Sequence, residues 1–272
     1  MFKSILLILS VVLSMNVSGQ TVERKIIVEN NKYAYVSIDN EHQMGTLFFG
    51  GLNDSLSRAE KRALPAGRSI EVQTNPFSWD LVNDTMYAIN FINHPLNDRA
   101  ESIKKIALDS LKPWSETTVL DIIDQSIDQE MLTYNQPYLA IAEQSKYLNH
   151  FYFDGVIFDD KYWMAISNND KISIWNYDGV NWNTGMDISL KISGPFWIFE
   201  SKNTLYLLLI DGQLFKIDDL LIKEVDQVTN VSLNIGLIID NRDTGEIYFL
   251  EQLNSALTMN ENIKQLSKKI LN

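Results

Sequence analysis

Between residues 153 and 219 the chain alternates short runs of β-branched and aromatic residues with polar turn signals. The runs are Phe153 to Phe158, Tyr162 to Ser167, Ile172 to Tyr177, Phe196 to Phe199, Leu205 to Ile210 and Gln213 to Asp218. Asn168-Asn169-Asp170, Asp178-Gly179, Lys202-Asn203 and Asp211-Gly212 stand between them. Runs and breaks of this kind predict consecutive antiparallel hairpins. The pattern also repeats. Tyr162-Trp163-Met164 lies over Thr204-Leu205-Tyr206, and that over Glu246-Ile247-Tyr248, at a shift of 42 residues, while Trp175 to Asp178 lies over Phe215 to Asp218 at a shift of 40. Val156, Phe196 and Gly236 open equivalent strands at the same spacing. A period near forty residues with about four short strands per unit is that of β-propeller blades.

The rest of the chain predicts further strands and some helix. Lys25 to Val28, Tyr33 to Ile38 and Gly45 to Phe49 read as strands, as do Ser69 to Gln73, Ser78 to Val82 and Thr85 to Ile92. Lys25 to Val28 is the candidate for closing the ring, since the first strand of a propeller commonly completes the last blade. Leu56 to Leu64 is rich in helix formers and stops at Pro65, which predicts a short helix or an ordered loop. A helical insertion is expected at about 97–132. Asp98 with Glu101 makes a capping box ahead of Ile103, Ile106, Ala107 and Leu111, and Val119, Ile122, Ile123, Ile127 and Met131 form a second apolar face opposite Asp121, Asp124 and Asp128. Thr258 with Glu261 predicts a terminal helix carrying Ile263, Leu266 and Ile270. The expected fold is mainly β: an irregular five- or six-bladed, propeller-like antiparallel fold with a helical insertion.

Leu205 to Asp218, a strand, an Asp-Gly turn and then Leu214-Phe215 leading to an Asp, resembles blades of the broad β-propeller repeat superfamily. The resemblance covers residues 154 to about 260. The Gly-His and Trp-Asp pairs of WD40 blades and the double glycine of kelch blades are absent. What the resemblance implies is therefore architecture, with no site residue carried over.

Composition adds a compartment. At 272 residues with 45% hydrophobic and 11% aromatic content, the chain can bury a large core. Residues 1–19 read as a signal peptide: Lys3 gives the basic region, Ile5 to Leu13 the apolar one, and Val17-Ser18-Gly19 the small residues before a cleavage site. Residues 20–272 would then be the exported domain, periplasmic or extracellular and of a bacterial type, with no stable membrane insertion after cleavage. There is no cysteine, so disulfides and lipidation at an N-terminal Cys are excluded. Without residues 1–19 the chain carries 22 basic against 35 acidic residues, a net charge of −13. An acidic surface of that size repels nucleic acid and anionic membrane.

Candidate chemistry is sparse. The three histidines, His42, His94 and His150, form no ligand motif, and with no cysteine no zinc or other metal site is expected. The oxygen-rich segments at Asp39 to Glu41, Asn168 to Asp170 and Asp240 to Asp243 fit turns better than calcium loops. No Gly-x-Ser-x-Gly elbow or phosphate loop is present, so no cofactor and no catalytic residue is assigned. Asp159-Asp160 and Asp218-Asp219 are the acids that a carboxylate-dependent glycan hydrolase or lyase would use. Adjacent acids are also common in turns. Aromatic density points instead to binding. Tyr162, Trp163, Trp175, Tyr177, Trp182, Phe196 and Trp197 crowd together, most of them as blade core, while Tyr177 and Trp182 flank the Asp178-Gly179 turn and are expected to be exposed. The candidate binding residues are Tyr177, Asp178, Trp182 and Asp218. Asp54-Ser55-Leu56, Asp84-Thr85-Met86 and Asp109-Ser110-Leu111 resemble an O-glycosylation acceptor of exported bacterial proteins, in keeping with export. The leading functional expectation is a non-enzymatic binding or scaffold protein that recognises a protein or glycan of the cell envelope through a propeller face. A glycan-cleaving enzyme and a partner-docking role for the helical insertion are the alternatives.

Overall fold

The computed structural model describes residues 20–39, 44–64, 77–90, 104–113, 153–168, 171–178, 182–189, 196–218, 221–227 and 237–271. These form eighteen strands in five radial units. Blade one is β1 (Gln20–Glu29), β2 (Lys32–Asp39), β3 (Met44–Gly51) and β4 (Glu60–Leu64). Blade two is β5 (Phe77–Val82), β6 (Thr85–Asn90) and β7 (Lys104–Ala107). Blade three is β8 (Phe153–Phe158), β9 (Lys161–Asn168), β10 (Lys171–Tyr177) and β11 (Trp182–Ser189). Blade four is β12 (Phe196–Glu200), β13 (Leu205–Leu209), β14 (Gln213–Asp218) and β15 (Leu221–Gln227). Blade five is β16 (Leu237–Asn241), β17 (Glu246–Leu250) and β18 (Lys268–Leu271), with helix α1 (Met259–Leu266) between the last two. Within each blade the strands are antiparallel neighbours in sequence order. The expected mainly-β, propeller-like architecture is what the chain adopts, and the described residues give five blades.

The first strands of the blades, β1, β5, β8, β12 and β16, surround the axis, each packed on the next. Their hairpins are tight because the turn residues accept left-handed backbone. Asn30-Asn31, Asn83-Asp84, Asp159-Asp160 and Lys202-Asn203 all have φ between 49° and 58°, the signature of type I′ turns that match strand twist. In blade five Gly245, at φ 65°, closes the corresponding turn. The turns are tied sideways. The Asp243 carboxylate accepts the N–H groups of Asn30 and Asn31 at 2.7 and 2.8 Å. Glu29 accepts the Asn83 N–H at 2.9 Å, and Ser201 Oγ donates to Gly245 O at 2.6 Å.

Ring closure differs from the expectation in its manner. Lys25 to Val28 do join the last blade, but as the inner strand of the first blade, pairing in parallel with Ile238 to Asn241. Blades five and one therefore form one seven-stranded sheet. Bonding two inner strands directly makes the two blades splay outward, and the wedge between them must be filled. Leu253, Met259 and Ile263 fill it, with Leu56 of blade one, in a cluster with Ile26, Val28, Tyr33, Leu237 and Leu250. Thr258 and Glu261 form the expected capping box of α1, and buried Asn262 accepts the Asn254 N–H and donates to the carbonyls of Asn254 and Thr258. The helix stops at Ser267, so Ile270 lies in β18 rather than on the helix.

Two further expectations are corrected. Leu56 to Leu64 is a single 3-10 turn followed by strand β4, because Ala63 and Leu64 complete a cluster with Ile27, Val36, Leu47, Trp79 and Met86 that an extended backbone reaches. The described part of the expected insertion is likewise extended. Lys104–Ala107 pairs with β6 and sends Ile106 into the same cluster, opposite Met86, with a 3-10 turn at Leu108–Ser110. The second expected helix, residues 1–19, the strand at 69–73 and all three histidines lie outside the described residues. Blades three and four meet through Trp163, Ile174, Phe196, Leu207 and Phe215, and blades four and five through Trp197, Phe199, Ile238 and Phe249.

Candidate functional site

The axis carries charge. Lys25 on β1, Asp80 on β5, Asp154 on β8, and Asp240 and Arg242 at the end of β16 converge where the inner strands meet. Asp80 and Asp240 are 0% and 1% exposed, and Lys25 is 4% exposed. Lys25 Nζ reaches from blade one to blade three, donating to Gly155 O at 2.7 Å and to Asp154 Oδ1 at 3.3 Å. Asp154 also accepts the N–H groups of Gly155 at 2.8 Å and, from blade four, Ile198 at 3.0 Å. Asp80 does the equivalent between blades two and three, accepting Ile157 N–H at 2.6 Å and Leu81 N–H at 2.9 Å. Arg242 binds Asp80 through Nη2, Asp240 through Nε at 3.1 Å, and Leu81 O through Nη1. An aspartate thus bolts β5 to β8, and another β8 to β12, by accepting a backbone N–H of the next inner strand, while Lys25 and Arg242 tie blade one to three and blade five to two.

The electrostatics follow from burial. Burial pushes the Asp240 carboxyl up to about 6 although Arg242 opposes it, and neighbouring Asp80 adds to the rise. Burial also raises Asp154 against Lys25 and its backbone donors. Burial works against charge on Arg242, but Asp80 and Asp240 overcome it and hold its pKa above the ordinary arginine value. Glu29, partly buried beside the cluster, is raised by the same loss of solvent.

This network was missed by motif reading. Its signal was nonetheless present: Lys25 precedes Ile26-Ile27-Val28, Asp80 lies between Trp79 and Leu81, and Asp240 follows Ile238-Ile239. A charge embedded in an apolar inner strand must find a partner, because an unpaired one is too costly to bury.

The residues singled out from sequence lie farther out. Tyr177 ends β10 and is buried, which corrects its expected exposure. Tyr162 on one side and Trp182 on the other are its register partners, so it is flanked across the sheet in both directions. Burial, with Asp178 nearby, raises its hydroxyl pKa. Asp178 is exposed and accepts a hydrogen bond from Asn183 Nδ2 at 3.3 Å. Trp182 opens β11, and its side chain lies outside the described set. Asp218 is exposed at the end of β14 and faces Leu221 across the turn into β15. Tyr177, Asp178 and Trp182 thus share one outer turn, and Asp218 occupies the corresponding turn of the next blade. The described acids of the two pairs lie on different blades. Asp159 and Asp160 form the inner turn of blade three, whereas Asp218 sits at the outer edge of blade four, with Asp219 outside the described residues. Asp240 to Asp243 behaves as a turn, with Asn241 Oδ1 accepting Thr244 N–H at 3.3 Å. Among the described residues no group of three or more His, Cys, Asp or Glu side chains is placed to hold a metal ion.

Beside Asp218 stands a feature that sequence reading passed over. Leu221 is 71% exposed and Val225 44%, the exposed large hydrophobic side chains among the described residues. Both lie on β15, the last strand of its sheet, whose Ile222 packs inward against the core of blades three and four.

These elements define a propeller-like fold built around a charged axis. No protein-family model matches the chain, and no curated protein does. Among solved structures it is similar to a chain of a nidogen/laminin complex, at 9% sequence identity and a TM-score of 0.44, over 85% of this chain and 72% of that one.

Proposed function

We propose that the protein is an exported, non-enzymatic binding scaffold that engages a partner protein of the cell envelope through the outer turns of blades three and four. The observation that carries this reading is Leu221, an apolar side chain exposed at 71% beside Asp218, on the rim that also holds Asp178. An apolar contact edged by acids is how a protein interface is built, with a desolvated centre and a polar rim. A scaffold suits the role because the inner strands of blades two, three and four are bonded to one another through Asp80 and Asp154, so the blades that carry the rim are held in place and lose little entropy on binding. Burial of Tyr177 removes one ring from the surface that would stack on a sugar, which favours a protein over a glycan.

The test uses the chain from residue 20 onward, with a photo-crosslinking residue at Asp178, in a native envelope extract. A protein crosslinked by this form, and lost when Leu221→Lys is added without change in thermal midpoint, supports the reading. Crosslinking that survives Leu221→Lys together with Asp218→Ala, or that is equal from a probe on the far edge of blade one at Lys61, overturns it.

A further inference from the structure

The axial cluster does not balance its charges. Three carboxylates, Asp80, Asp154 and Asp240, meet two cations, Lys25 and Arg242, and the Asp80 and Asp240 side chains are 0% and 2% exposed. An excess negative charge in such a place is relieved more cheaply by taking up a proton than by burying the ion. The donors show where the proton goes. Asp80 accepts from two backbone N–H groups and from Arg242, and Asp154 from two backbone N–H groups and from Lys25. Asp240 accepts one hydrogen bond, from Arg242 Nε at 3.1 Å. Its ionised form is the least supported of the three.

The groups around Asp240 reinforce this. Arg242 on its own segment is shared with Asp80, which faces it from β5 as a second carboxylate. From β1 come Lys25, whose charge opposes the rise but is engaged by Asp154 and Gly155 of β8, and Glu29, which adds negative charge to the Arg242–Asp80 side. β17 sets Ile247 opposite Asp240, and β12 packs on β16 through Trp197 and Phe199, so neither brings a charge to it.

We infer that closing the ring takes up one proton on Asp240, so that the axial contact between blades five and two is an acid-strengthened clasp. Its sign is fixed by linkage. The folded carboxyl holds its proton up to about pH 6, whereas the same group in the unfolded chain releases it near 3.9. The folded state therefore binds more protons between those values, and stability falls as pH rises through that window and is level above it. Protonated Asp240 leaves Arg242 to pair with Asp80 alone and removes the carboxylate repulsion between blades five and two.

The experiment is denaturant unfolding of the chain from residue 20 onward at intervals between pH 4 and 8, in wild type and in Asp240→Asn. An amide is neutral like the protonated acid and accepts from Arg242 through its oxygen. Because Asp187, Glu246 and Glu261 are held below their ordinary values and oppose the trend, the readout is the difference between the two proteins. The expected difference is close to one proton per molecule, about a tenfold change in relative unfolding constant per pH unit within the window, with Asp240→Asn the more stable at pH 7. Parallel profiles would overturn the inference. The wild type supplies an independent readout should the variant not fold: the assigned Asp240 carboxyl carbon titrating near pH 6 by NMR supports it, and its full ionisation by pH 5 refutes it.

Discussion

Gly155 lies in the middle of inner strand β8, and no turn or positive φ explains why it is glycine. The reason is Tyr162, whose ring lies across it from β9. A Cβ on residue 155 would come within 3.0 Å of Tyr162 Oη, Cζ and Cε1, the last at 2.9 Å. The ring is 2% exposed and cannot swing out, because Tyr177 stands next to it in register. Overpacking a closed site costs about 1–3 kcal/mol. Shifting the strand would also strain the bond from Lys25 Nζ to Gly155 O, a charge-assisted one at 2.7 Å worth about 1.5–3 kcal/mol. Gly155→Ala should therefore cost about 3 kcal/mol, a fall in thermal midpoint on the order of 6–12 °C for a chain of this size. The decisive assay is a double-mutant cycle by urea unfolding. Tyr162→Ala is itself destabilising, but in that background the added methyl has room, and Gly155→Ala should cost about 0 kcal/mol or slightly stabilise the strand. A cost under about 0.5 kcal/mol in the wild type, or an equal cost in both backgrounds, would refute the account.

Two other substitutions probe different joints. Arg242→Met strips Asp80 and Asp240 of their shared cation and should lower stability by about 3–5 kcal/mol at pH 8; the loss should be smaller at pH 5, and urea unfolding at both values checks this. Thr258→Ala removes the N-cap of α1 at about 1 kcal/mol. Hydrogen exchange should then quicken in α1 and β18 while blade three keeps its protection.

Blades three to five were legible because their strands are short, aromatic or β-branched, and separated by residues that accept φ near +50°. The same forty-residue spacing located Val156, Phe196 and the start of β16 on equivalent inner strands. Leu56 to Leu64 misled because Leu, Arg, Ala, Glu and Lys are good helix formers, while β4 is an edge strand held by its pairing with β3 and by two buried side chains. Strand preference is set by such context more than by the residue itself. Ile106 and Ala107 were misread for the same reason, since Ile106 is fixed by Met86 across the ladder. The capping box at Thr258 and Glu261 was readable because both of its bonds are local. The axial cluster was not readable as a set of pairs. Lys25 and Gly155 are 130 residues apart, and Arg242 and Asp80 162, so only the isolated charges within apolar runs hinted at it. Exposure at Tyr177 was inferred from its neighbouring turn, whereas the strands on either side of it decide its burial.

The parallel seam has a consequence for how the molecule is made. Every other strand pair among the described residues joins neighbours in sequence, and such hairpins assemble as soon as both strands exist. The pairing of Lys25 with Ile238 spans 213 residues and waits for the last blade, so closure is the slow, high-contact-order step. Until then the edge of Ile26, Ile27 and Val28 stands open on an otherwise finished first blade, an apolar template for the wrong partner. Keeping that edge occupied until β16 arrives is the principal demand this topology places on synthesis and folding.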